Sequence, residues 1–201
     1  MAFENLIICL VIGSFTGMCV GLFSIGGGLI IVPVLHVMYP EIDYQDIIII
    51  SIHQIFFSSL VSFLTHAKKQ SFVPPSRLWL TIHLLALVMV SYLIHFLPSW
   101  LFISVFFVFI ILSIIVRCCL FCGLSFKPIK YYTQLSTTLC ASIGSMIGLG
   151  GSILLYPLLR VSQQNHTIAL KNCAWNSFTV GLMGVITHDF LYFFNINKDM
   201  P

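Results

Sequence analysis

Charge is scarce in this sequence. Nine Lys and Arg and six Asp and Glu make up 7% of 201 residues, against roughly 25% in an ordinary soluble domain. The six carboxylates are Glu4, Glu41, Asp43, Asp46, Asp189 and Asp199, few for a membrane hydrolase, and no enzyme signature is found. No GxxxxGK[ST] occurs, which argues against an ATP-driven pump within this chain. The N-terminus, MAFENLIICLVIGSF, carries only Glu4 and lacks the basic region of a secretory signal. The net charge of +3 comes from Lys and Arg between apolar runs, which is topology information and no nucleic-acid footprint.

What fills the chain is apolar surface: 59% of residues are hydrophobic. Six stretches approach or exceed the roughly 20 residues that cross a bilayer: Leu6–Val37, Ile47–Thr65, Leu78–Leu97, Trp100–Val116, Thr133–Leu159 and Cys173–Phe194. The first and fifth are longer than one straight crossing, so each needs a break or a tilt. The expected fold is an all-α polytopic membrane protein embedded in the lipid bilayer.

Cytoplasmic loops retain basic residues. Lys68, Lys69 and Arg77 follow the second stretch, and Arg117, Lys127 and Lys130 follow the fourth. Glu41, Asp43 and Asp46 follow the first, and His95–Ser99 holds no Lys, Arg, Asp or Glu. With six single crossings this alternation places the N-terminus in the cytoplasm of a multi-pass cell-membrane protein. Arg160 and Lys171 then fall on the outer side, against the rule. Trp79 and Trp100 stand at stretch ends, where indoles favour the interface.

The first and fifth stretches resemble each other. GMCVGLFSIGGGLIIVPVL (Gly17–Leu35) and GSMIGLGGSILLYPLL (Gly144–Leu159) both read small-x3-small, a glycine cluster, then apolar residues into a proline. Gly17, Gly21, Gly26, Gly27 and Pro33 match Gly144, Gly148, Gly150, Gly151 and Pro157, with a three-residue gap before the cluster. Downstream, Gln54 aligns with Asn176, Ser62 with Gly184 and His66 with His188. The pattern predicts a duplicated unit, residues 1–130 with about four spans and 131–201 with about two. Single crossings put both motifs in the same orientation, a parallel repeat, unless the first segment is re-entrant.

Two physical readings of the glycines stand side by side. Gly13, Gly17 and Gly21 form a small-xxx-small stripe for close helix packing. The clusters Ser24–Gly28 and Gly148–Ser152 instead predict unwound helix, whose freed N–H groups bind an anion at the start of the following half-helix. Such backbone is tolerated only under protein or beside a water-filled cavity.

A glycine-rich motif ending in proline, present in both halves of a small helical membrane protein, resembles the sulfite exporter TauE/SafE family (DUF81). The resemblance implies a secondary transporter of organic sulfur compounds or other small anions. Such proteins usually carry about four spans per half; here the second half has two. This predicts either a truncated chain or a reduced member that assembles with itself or with a missing subunit; the alternative is a non-transporting subunit or truncated remnant that needs a partner.

Polar side chains inside a membrane mark function. The expected substrate-binding residues are Gly26, Gly27, Gly28, Gly150, Gly151 and Ser152, with Gln54 and Asn176 as side-chain donors to an oxyanion. His53, His188 and Asp189 are the candidates for proton coupling; a buried histidine satisfied by a carbonyl and a solvated helix end are the competing structural roles. Ser58, Ser59 and Ser62 share one helix but readily bond to their own backbone. Cys9, Cys19, Cys140 and Cys173 fit small hydrophobic positions. CCLFC at Cys118–Cys122 is a single C-x-x-C without a second pair, a poor metal site. No metal and no cofactor is expected.

Overall fold

The computed structural model describes residues 28–67, 77–123, 132–162 and 165–198, with Val11, Gly13, Ser14 and Thr16 before them. The described residues form helices and short connections with no strand among them. In chain order the helices are α1 (Gly28–Met38), α2 (Tyr44–Ala67), α3 (Arg77–Leu93), α4 (Ser99–Phe121), α5 (Tyr132–Met146), α6 (Ser152–Val161) and α7 (His166–Lys198). A 3-10 turn, Ile94–Phe96, extends α3. Lipid offers the backbone no hydrogen bonds, so an apolar run satisfies its own N–H and C=O groups as helix.

Among the described residues, three helices are long and apolar enough to cross a membrane: Tyr44–Thr65, Arg77–Phe96 and Ser99–Phe121. They coincide with the second, third and fourth stretches read from the sequence. On α4 the burial follows helical period. Phe102, Phe106, Phe109 and Ser113 face inward, while Phe107, Val108, Ile111, Ile114 and Ile115 lie exposed on the other side, as a lipid-facing surface requires. The core joins Ile47, Ile48 and Ile52 of α2 to Phe102 and Phe109 of α4 and to Ile153–Leu155 and Leu159 of α6.

The fifth stretch departs from expectation: it does not cross in one direction. Helix α5 stops at Met146, and α6 restarts at Ser152 beside α5 itself. A Cβ added to Gly151 would lie 2.2 Å from the Cys140 carbonyl oxygen, and one on Gly144 would lie 2.2 Å from the Gly151 nitrogen. The chain has therefore reversed and packed backbone on backbone, which only glycine permits at this separation. At ten residues, α6 extends about 15 Å, half of a hydrocarbon core. α5 and α6 form a re-entrant hairpin.

The direction of α7 follows from its contacts with α2. Phe63 near the end of α2 meets Trp175 and Phe178, with ring centroids 5.5 and 5.3 Å apart. Phe56 stacks on Phe178 at 6.2 Å, a Cβ on Gly184 would touch Ile52 at 2.4 Å, and His53 meets Asp189 at 3.2 Å. The two helices run antiparallel. The equivalents Gln54 and Asn176 thus sit on oppositely directed helices, which replaces the parallel arrangement predicted by counting single crossings. α7 begins where α2 ends, so Arg160 and Lys171 belong to the face that carries Arg77 and Arg117. The exception to the basic-residue rule disappears, because its cause was the assumed fifth crossing.

Candidate functional site

The site grows from the turn between α5 and α6. Ile147–Gly151 leaves the helical path with Gly148, Gly150 and Gly151 at φ of +69°, +70° and +74°, a region costly for residues with a Cβ. The Leu149 amide donates to the Gly144 carbonyl at 2.7 Å and closes the end of α5. Gly151 caps α6 in the left-handed conformation, and no side chain caps that end among the described residues. The first turn of α6 therefore keeps the uncapped N–H groups of a helix start, with the positive end of its dipole. Gly150, Gly151 and Ser152 are all buried.

Three elements hold this turn. From α2, the Ser51 hydroxyl donates to the Gly148 carbonyl at 2.7 Å, and Ile55 would contact a Cβ on Gly150 at 3.3 Å. From α7, the Asn176 amide donates to the Gly150 carbonyl at 3.0 Å, joined by the Ser177 hydroxyl at 3.4 Å. From α1, Gly28 approaches so closely that a Cβ there would stand 1.7 Å from the Gly148 oxygen. The end of the first glycine motif thus meets the second motif in the centre of the molecule. A fourth support is Ser113 of α4. Pro157 has no N–H to give to the Ile153 carbonyl four residues back, and the Ser113 hydroxyl donates to that oxygen at 3.0 Å.

Of the expected binding residues, Gly28, Gly150, Gly151, Ser152 and Asn176 come together here. Gly26 and Gly27 lie outside the described residues, as do Gly17, Gly21, Cys9 and Cys19. Asn176 spends one amide hydrogen on the turn itself. Its Oδ1 is buried without a hydrogen-bond partner among the described residues, and so is the Gln54 Oε1 on α2. Gln54 sits on the same helix as Ser51, half-buried. Ser58 and Ser59 bond back to carbonyls of their own helix, Ile55 and Phe56. Cys140 and Cys173 are buried, whereas Cys118 and Cys122 are exposed.

The three proton-coupling candidates also converge. His53 Nδ1 donates to the Ile49 carbonyl at 2.9 Å, which turns its Nε2 toward the Asp189 carboxylate at 3.2 Å. Both ring nitrogens of His53 thus face oxygen acceptors. The next residue, His188, lies 3.1 Å from His95 through Nδ1 and Nε2. The His188 Nε2 is buried with no partner among the described residues. His95 did not emerge from the sequence because it stands at the end of its stretch and outside the repeat. Ser51 and Ser177 were equally hidden, since serine is common in helices. A histidine on the third stretch, His83, bonds to Thr179 at 2.9 Å; the polarity criterion that selected His53 would have found it.

Half-helices meeting at a buried break inside an apolar helical body define a helical membrane protein with a broken-helix core. The chain belongs to the sulfite exporter TauE/SafE family, whose match runs over residues 9–199. Two curated relatives, each described as a probable membrane transporter protein of Haemophilus influenzae, align over parts of the chain. One is 34% identical over 70 residues, 35% of this chain and 26% of the relative. The other is 41% identical over 49 residues, 24% of this chain and 19% of the relative. The matched segments thus span about a quarter and a fifth of those relatives. No solved structure matches the chain significantly.

Proposed function

We propose that the chain carries small oxyanions, of the sulfite or organosulfonate class, across the cell membrane as a secondary transporter. The observation that supports this most is the buried, uncapped start of α6 behind Gly150 and Gly151. A helix start offers an anion several N–H donors and the favourable end of the dipole without burying a full positive charge. Gly28 and its neighbours Gly26 and Gly27 would supply the opposing half of the site, with Gln54 supporting that half as Asn176 supports the second. Under this reading the chain is an inverted duplication, and the face bearing Arg77, Arg117, Arg160 and Lys171 is cytoplasmic.

The His53–Asp189 pair and the His188–His95 pair would take up and release the coupling proton. Function as a homo-oligomer or with a further subunit fits the broad apolar faces of α3 and α4, which also meet lipid. The test is labelled sulfite and methanesulfonate flux into proteoliposomes holding only this chain, with and without a proton gradient. Saturable flux that Gly151→Val abolishes, while the variant still inserts, supports the reading. Flux unchanged by Gly151→Val rejects the site, and its absence in a folded wild-type chain favours the reading as a subunit needing a partner.

A further inference from the structure

His83 lies on α3, which carries no glycine motif, yet it is connected to the glycine turn. Its ring is 5% exposed, Thr179 is 3% exposed and Asn176 is fully buried. The Thr179 hydroxyl gives its single hydrogen to the Asn176 backbone carbonyl, 2.9 Å away. Its oxygen can then only accept from His83 Nε2, also at 2.9 Å. With the threonine hydrogen on the Asn176 carbonyl, those two bonds fit the Nε2–H tautomer. In the neutral ring Nδ1 is left as a bare acceptor, and it has no partner among the described residues. Asn176 completes the chain by donating to Gly150.

We infer that His83 is a positioning residue for the glycine turn: through Thr179 and Asn176 it fixes the Gly150 carbonyl and, with it, the start of α6. The inference rests on reading that turn as the anion site and names what orients it. Asn176 alone could rotate about its side-chain torsions. The His83–Thr179 bond ties the turn of α7 that carries Asn176 to α3 and so sets where the amide starts from. In a low-dielectric interior the two bonds through the Thr179 hydroxyl polarise and strengthen each other. A ring that merely fills space would be replaceable by any side chain of its size. A positioning ring is replaceable only by one that keeps an N–H at the Nε2 place.

The experiment uses the full chain in lipid vesicles and the variants His83→Gln, His83→Leu and Thr179→Val. Glutamine retains the N–H and should keep the KM for sulfite within about twofold of wild type. Leucine at 83 and valine at 179 should each raise KM about tenfold, the loss expected of one buried hydrogen bond, with maximal rate little changed. Unchanged KM in His83→Leu or Thr179→Val overturns the inference. A second readout is independent of transport: nitrogen-15 histidine NMR, with the His83 signal assigned by its loss in His83→Gln. The expected ring is the Nε2–H form, shifted by Thr179→Val. A ring protonated on Nδ1 alone, or a signal that Thr179→Val leaves in place, overturns the inference even if wild type moves no sulfite. Absent wild-type flux, by contrast, counts against the transport reading. Thr179→Val is nearly isosteric, so it carries the test should His83→Leu fail to fold.

Discussion

Phe56 and Phe178 stack with ring centroids 6.2 Å apart and planes 26° from parallel. Each stands two residues after one member of the matched pair Gln54 and Asn176. The two rings thus meet across a pair of helices that run antiparallel. Around that point α2 and α7 pack unusually close, since Gly181 presses on the Phe56 backbone.

The crossing sets the first expectation. A Cβ at Gly181 would stand 2.5 Å from the Phe56 Cα, and backbone cannot step aside as a flexible side chain can. Gly181→Ala should lower stability by about 1–3 kcal/mol, read as a lower melting temperature of the detergent-solubilised chain. An unshifted melting temperature would show that the helices cross with more room than described.

The re-entrant hairpin makes a prediction about sidedness. In a background where other cysteines are replaced, a reagent that cannot cross the membrane should label Cys118 and an Asn165→Cys variant from one side. It should label Glu41→Cys from the other. Labelling of Asn165→Cys together with Glu41→Cys would restore a straight fifth crossing and reject the hairpin.

Ser113 and Pro157 are coupled through one carbonyl. Ser113→Ala strands the Ile153 oxygen and should cost about 1–3 kcal/mol. Adding Pro157→Ala returns a helical N–H to that oxygen, so the double variant should recover part of the loss. A double-mutant cycle of unfolding free energies checks this, and strictly additive losses would mean that Ser113 does not serve the proline gap.

The proposed coupling role of the His53–Asp189 pair gives the last expectation. Asp189→Asn and His53→Gln should each reduce sulfite flux driven by a proton gradient about tenfold, in the range of ordinary coupling energies. Downhill exchange without a gradient should persist. If the driven and downhill modes fall together, the pair has a structural role and the coupling proton travels elsewhere.

Much of this was legible in the chain alone. Scarce charge and long apolar stretches dictate helices in a bilayer, because backbone polar groups have no other partner there. Asn176, His53 and Asp189 stand out because a polar side chain in lipid is costly enough to need a reason. The glycines at 148, 150 and 151 mark a break for the same local reason that they adopt positive φ. His83 and His95 required the fold, since nothing near them in sequence shows that Thr179 and His188 stand opposite.

The sequence by itself determined that the stretch between Thr133 and Leu159 needs a break or a tilt, and its glycine cluster marked where a break would fall among apolar helices. Only the tertiary structure decided whether the break is a kink or a reversal. A glycine turn permits both, and the choice rests on Gly151 closing against the Cys140 carbonyl. That one contact returns α6 to the side from which α5 entered and sets α7 antiparallel to α2. Local conformational freedom was written in the residues; the direction of the chain came from long-range packing.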